Sequence, residues 1–213
     1  MRADNDLRGK YKKLLGEFQK MESELKETKR ALENKEIELQ AVLAQADEVS
    51  HTDALTFLPN RRKIIIELQN EVIRSNRYDT PLSISILDLD HFKNVNDKYG
   101  HTTGDEVLRS VAARLREHIR HPDVIGRYGG EEFLIVMPNS AAKAAAEQAS
   151  RLCGQIRKLQ IEAQEHVLSV TISIGIAQYK LHKEDWQSLL NRADAALYEA
   201  KNQGRDRWIV SEE

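Results

Sequence analysis

The sequence is poor in cysteine, proline and aromatic residues, and it contains no long apolar run. A single cysteine, Cys153, excludes an internal disulfide and suits a reducing, cytoplasmic compartment. It falls in the stripe Ala142, Ala145, Ala149, Cys153, Ile156, whose helical spacing points to packing rather than reactivity. Only 4 of the 213 residues are proline, and none precedes Pro59, so nothing interrupts a helix in the amino-terminal quarter. No apolar stretch approaches the roughly 20 residues of a membrane-spanning helix, and the first residues lack a signal-peptide core. Net charge is also scarce: 32 basic against 34 acidic residues leave −2, which offers no bulk attraction for a nucleic-acid polymer.

What is present falls into two parts, 1–50 and 51–213. The first is rich in Lys, Glu, Gln, Leu and Ala. Apolar or aromatic side chains at Leu7, Tyr11, Leu14, Phe18, Met21, Leu25, Leu32, Leu39, Val42 and Val49 alternate in steps of four and three. That is the period of a two-stranded coiled coil, with Thr28 and Lys35 standing where the pattern calls for apolar residues. An uncapped run of about six heptads predicts a parallel homodimer rather than one solvated helix. The polar seam residues, and a competing stripe at Ile37, Ala41 and Ala44, leave the register weakly fixed.

From His51 onward the composition is that of a globular domain. Pro59 is placed to open a helix whose buried face carries Ile64, Ile65, Leu68, Val72 and Ile73. Leu82 to Leu87 alternates as a strand should and ends on Asp88. Asp90 reads as a cap for the following helix and Asp88, at the end of the strand, as a candidate metal ligand. Thr103 reads as the N-cap of the next helix, in which Asp105 by itself is only a dipole-stabilising acid. Arg127-Tyr128-Gly129-Gly130-Glu131-Glu132-Phe133 sits between two apolar runs and predicts a hairpin, with both glycines at positive φ and two carboxylates at its tip. Such a tip suits a metal or a phosphate-bound metal. A helix over 140–159, a strand over 167–177 with Gly175 marking a close backbone approach, a helix over 186–202 and a strand over 207–210 complete the order. This is an α+β order, with helices packed on a mixed or antiparallel sheet.

Several stretches together resemble the GGDEF family of diguanylate cyclases, in its GGEEF form, over about residues 51–210. They are Asp53-Ala54-Leu55-Thr56 with Asn60-Arg61-Arg62, Asp88 to Lys93 with Asn96-Asp97, Gly100-His101 with Gly104-Asp105, Arg127 to Phe133, Thr171 to Ala177, and Ala195 to Lys201 with Gly204-Arg205. One of these alone is weak evidence; all of them in the family's order are specific. The resemblance implies a fold like that of nucleotide cyclases and the polymerase palm: a two-layer sandwich with a central mixed, mostly antiparallel sheet, preceded by a long α-helical coiled coil. It implies condensation of two GTP into cyclic di-GMP and two pyrophosphates at the interface of two domains. By the family pattern Asp88, the Leu89 carbonyl and Glu131 hold Mg²⁺ or Mn²⁺. Glu131, Glu132 and Lys93 serve catalysis; Asn96, His101 and Asp105 read guanine; Phe92, Lys93, Lys201 and Arg205 meet phosphate. Arg120 and Asp123, with Arg151 on the following helix, match an inhibitory site for the product. The competing expectation is a silent domain that binds cyclic di-GMP or GTP without turnover. Two departures stand out: Phe57 where the family commonly has Gly, and Asp206 where it has Asn, the latter read as a minor surface change.

Overall fold

A computed structural model describes residue 16, residues 20–22 and 24–40, and residues 51–212. The chain divides into two units, Met1–Ser50 and His51–Glu213. In the first, residues 24–40 form helix α1, all of whose side chains are exposed. Met21, Leu25, Leu32, Ile37 and Leu39 remain 59–70% exposed, so one helix covers none of its own seam. The two polar seam residues are bonded along the helix instead: Thr28 Oγ1 donates to the Glu24 carbonyl and Lys35 pairs with Glu38, each at 2.7 Å. Leu7, Tyr11, Leu14, Phe18, Ala41, Val42, Ala44 and Val49 lie outside the described residues.

The second unit runs α2 (Arg61–Tyr78), β1 (Leu82–Leu89), α3 (Phe92–Tyr99), α4 (His101–Glu117), β2 (Val124–Arg127), β3 (Glu132–Pro138) and α5 (Ala142–Arg157). It continues with β4 (Ile161–Ala163), β5 (His166–Leu168), β6 (Ile172–Gln178), α6 (Trp186–Asn202) and β7 (Trp208–Val210). Five strands form one sheet in the order β2-β3-β1-β6-β7, antiparallel except for the β6–β7 pair, while β4 and β5 make a separate ribbon. The α+β expectation with a mostly antiparallel sheet therefore holds. Strand alternation sends Leu87, Leu89, Phe133, Ile135 and Ile174 to the face covered by α4 and α5. Ile84, Ile86, Leu134 and Val136 go to the face covered by α2 and α6. Burying each such side chain contributes roughly 2 kcal/mol, so β1, buried on both faces along its whole length, anchors the sheet.

Three local expectations are corrected. Pro59 does not open α2: it bridges Thr52, and Asn60 is the N-cap, its side chain accepting from the Lys63 N–H at 3.0 Å. Thr103 does not cap α4 either, because that helix already begins at His101 behind Gly100, whose φ of 83° suits only glycine. Thr103 is instead buried in the first turn, its hydroxyl without a partner. The strand expected over 167–177 is two strands in different sheets, β5 and β6. The close approach at Gly175 is real, since a Cβ there would stand 2.0 Å from the Ala193 carbonyl oxygen of α6.

Candidate functional site

Register decides what meets at the carboxyl end of β1. Asp88 lies opposite Glu132 on β3 and Ser173 on β6, and the Leu89 N–H donates to the Glu131 carbonyl at 3.4 Å. Three acids and the Leu89 main chain thus converge from two strands. The hairpin closes with the Tyr128 and Gly129 N–H groups donating to the Glu132 carbonyl at 2.8 and 3.2 Å. Its glycines are not there for left-handed backbone: among the described glycines only Gly100 and Gly204 have positive φ. A Cβ on Gly129 would sit 2.4 Å from Glu132 Oε2 and push that carboxylate aside, whereas Gly130 faces open space.

A clamp holds this tip. Arg127 Nη1 donates to both carboxylate oxygens of Asp53 at 3.1 Å, while its Nη2 and Nε reach the Gly130 carbonyl at 2.7 and 3.2 Å. Burial alone would push the Asp53 carboxyl up, but bonds from the Thr56 hydroxyl and N–H, and the Arg127 charge, hold it below the ordinary range. Beside the tip the Arg61 guanidinium lies 4.5 Å from the centre of the Tyr128 ring.

Charge at the site is out of balance. Lys201 Nζ pairs with Asp88 at 2.9 Å and is, among the described residues, the one cation in direct contact with an acid of this group. Burial pushes the Asp88 carboxyl above its ordinary range despite that partner. Glu131 is raised by burial and then by Asp88, and Glu132 by burial, Asp88 and Asp194. Among the described residues no three or more His, Cys, Asp or Glu side chains are arranged to hold a metal ion. The expected set has only two carboxylates and a main-chain carbonyl. Its all-oxygen chemistry and excess negative charge fit a hard divalent cation such as Mg²⁺ or Mn²⁺.

The remaining candidates fall in three places. Asn96 on α3 packs its amide against Gly104 of α4, where a Cβ would stand 1.9 Å from Asn96 Oδ1; Asp105 is the next residue, and His101 is exposed at the start of α4. Lys93 is exposed in the first turn of α3, but the Phe92 ring is buried, leaving only its main chain for a phosphate. Arg205 stands in the turn after α6, close enough for its charge to act on Asp88. Arg120 and Asp123 are joined at 3.3 Å near the other end of β3, where Arg120 also reaches the Ser140 hydroxyl. Arg151 is exposed on α5 and is not bonded to that pair.

Some residues were not singled out by sequence. Gln148 donates to Asp123 Oδ2 at 2.8 Å, and its carbonyl oxygen is buried without a partner. Its signal was a polar residue on the buried stripe of α5, between Ala145 and Leu152. The Asp53–Arg127 clamp spans 74 positions and has no local signal. Asp90 is not a helix cap: the N-cap of α3 is His91, and Asp90 is a buried acceptor. Asp206, expected as a minor surface change, pairs with Arg157 at 2.6 Å on the exposed surface.

The description "Diguanylate cyclase, GGDEF domain" matches residues 50–207. The chain belongs to the GGDEF family. It is 41% identical over 160 residues to diguanylate cyclase DgcP of Pseudomonas aeruginosa, an alignment covering 75% of this chain and 24% of that protein. It is 39% identical over 163 residues to diguanylate cyclase DosC of Escherichia coli, covering 75% of this chain and 35% of DosC. This GGDEF chain therefore spans about a quarter to a third of those relatives. The coiled coil and GGDEF domain of DgcB from Caulobacter crescentus, solved in complex with c-di-GMP, superposes with a TM-score of 0.80 at 33% identity, covering 86% of this chain and 98% of that one. Among the described residues no helix is long and apolar enough to cross a membrane.

Proposed function

We propose that this chain is a cytoplasmic diguanylate cyclase, residues 51–213 forming the catalytic domain and residues 1–50 a parallel coiled coil that pairs two copies. Each domain holds one GTP. The 3′-hydroxyl oxygen of each GTP attacks the α-phosphorus of the other, two phosphodiester bonds form, and two pyrophosphates leave. The observation that carries this reading is the convergence of Asp88, Glu131 and Glu132 across the β1–β3 register, all three carboxyls raised by burial and the two glutamates further by the Asp88 charge.

A carboxyl with a raised pKa is a better proton acceptor near neutrality, so Glu131 or Glu132 takes the proton of the 3′-hydroxyl. Asp105 accepts from the N1–H and amino group of guanine, with Asn96 and His101 alongside; adenine has no N1 donor and leaves that carboxylate unpaired. Lys201, Arg205, Lys93 and the Phe92 main chain bind and orient the triphosphate, with Lys93 beside the charge that grows on phosphorus. Asp88, the Leu89 carbonyl and Glu131 would hold Mg²⁺ or Mn²⁺, which supplies neutralisation of phosphate charge and acidifies the hydroxyl.

The pair of copies is favoured by the uncovered seam of α1, which also raises the effective concentration of one domain for the other. Arg120, Asp123 and Arg151 form the inhibitory product site, arginine meeting phosphate and aspartate the guanine donors. Incubating the purified protein with GTP and Mg²⁺ and identifying the nucleotide product tests the assignment. Cyclic di-GMP is expected; binding of GTP or cyclic di-GMP without turnover would replace the enzyme by a binding module.

A further inference from the structure

Asp90 directly follows Leu89 and is 5% exposed. Its Oδ1 accepts from the Ser173 hydroxyl at 2.7 Å. Its Oδ2 accepts from the Thr171 hydroxyl at 2.6 Å and from the Asp206 N–H at 3.0 Å. None of the three donors is cationic, so this buried carboxylate acts as a fixed acceptor rather than half of an ion pair. Two donors lie on or beside β6, next to β1 in the sheet. The third belongs to a different part of the chain, the turn that leaves α6.

That turn needs holding. Gly204, Arg205 and Asp206 all take positive φ, at 113°, 63° and 48°. Glycine does so freely, while the other two meet the steric clash of Cβ with the backbone. The Gly204 and Arg205 N–H groups close the helix end onto the Lys201 and Ala200 carbonyls at 3.4 and 3.1 Å. Beyond these, the turn is tied to the sheet by the Asp206 N–H on Asp90, and to α5 by the Arg157–Asp206 pair. Arg205 is the middle residue, and Lys201, which reaches Asp88, lies one turn back on α6.

We propose that Asp90 is a positioning residue for the triphosphate: through the Asp206 N–H it fixes the left-handed turn that holds Arg205 at the phosphate subsite. The proposal rests on the reading of Arg205 as a phosphate contact. A carboxylate is required because both oxygens accept, and an amide would set an NH₂ group against one of the three donors.

The test compares two probes by titration calorimetry in Mg²⁺: 3′-deoxy-GTP, which lacks the attacking hydroxyl, and guanosine, which lacks phosphate. Asp90→Asn is expected to weaken 3′-deoxy-GTP about tenfold and to leave guanosine unchanged, the loss typical of removing a residue that supports a binding group. Arg205→Ala should weaken 3′-deoxy-GTP comparably, and Asp90→Asn/Arg205→Ala should bind no worse than Arg205→Ala alone. Additive losses, or equal losses for both probes, overturn the proposal. Normal 3′-deoxy-GTP binding by Arg205→Ala would instead overturn the phosphate reading beneath it. If Asp90→Asn does not fold, Thr171→Val removes one donor to Oδ2 and should give the same selective, non-additive loss at about threefold.

Discussion

Two acidic sites at opposite ends of the central sheet handle charge in opposite ways. At one end the Asp88 side chain is 9% exposed; among the described residues it pairs directly with Lys201 alone, while Glu131 and Glu132 beside it have no direct ion pair. Toward the other end the Asp123 side chain is 1% exposed, but an arginine and a glutamine already occupy it. About 20 Å of strand, the length of β3, separates the two regions. The first leaves negative charge uncompensated and so invites a cation. The second holds the Asp123 carboxylate already paired, and a ligand must exchange those bonds for its own.

Five outcomes break or sharpen this contrast. The largest concerns the uncompensated end: Glu131→Gln should keep the fold and lower cyclic di-GMP formation by about two to three orders of magnitude, measured as product per time from GTP and Mg²⁺. Retained turnover would remove Glu131 from the site. At the paired end, Arg120→Ala should weaken cyclic di-GMP binding about 10- to 100-fold in an equilibrium titration, since a bidentate phosphate contact is lost.

Stability should then respond with opposite signs. Asp123→Asn removes one of the two carboxylate oxygens that accept from Arg120 and Gln148 and should cost about 1–2 kcal/mol in urea unfolding. Glu131→Gln relieves repulsion and should stabilise the metal-free protein by about 0.5 kcal/mol, a small figure because the group is partly screened by solvent. The sign follows from linkage. Burial and repulsion raise the folded-state pKa of Glu131, so its stabilising contribution is complete below the unfolded pKa and is lost as pH rises through the folded value. The advantage of Glu131→Gln should therefore grow from about pH 4 to pH 7, and a constant difference would contradict the repulsion. The smallest effect lies away from both ends. Phe57 holds φ 56° and is 70% exposed, so Phe57→Gly should raise stability by a few tenths of a kcal/mol, read as a small increase in Tm.

Sequence made the sheet legible because its signals are local: β1 alternates, and the hairpin lies between two apolar runs. Motif order also put Asp88, Glu131, Lys201 and Arg205 forward as one group, and the register and the Lys201 pair bring the first three together. What escaped was set by contacts between distant segments. What a side chain at Gly129 would meet is the Glu132 carboxylate, and no turn dihedral calls for glycine there. Asp90 finds its donors 81, 83 and 116 positions away, which no helix-cap pattern encodes. Thr103 has the residue type of a cap, but Gly100 terminates the preceding helix and starts the next one three residues earlier.

The gap at Gly104 carries one more consequence. A missing methyl on α4 makes room for the Asn96 amide of α3, so a single volume is shared between two helices. Any larger residue at 104 would evict that amide and swing the group assigned to the base. Purine choice would then hang on a residue outside the proposed guanine contacts.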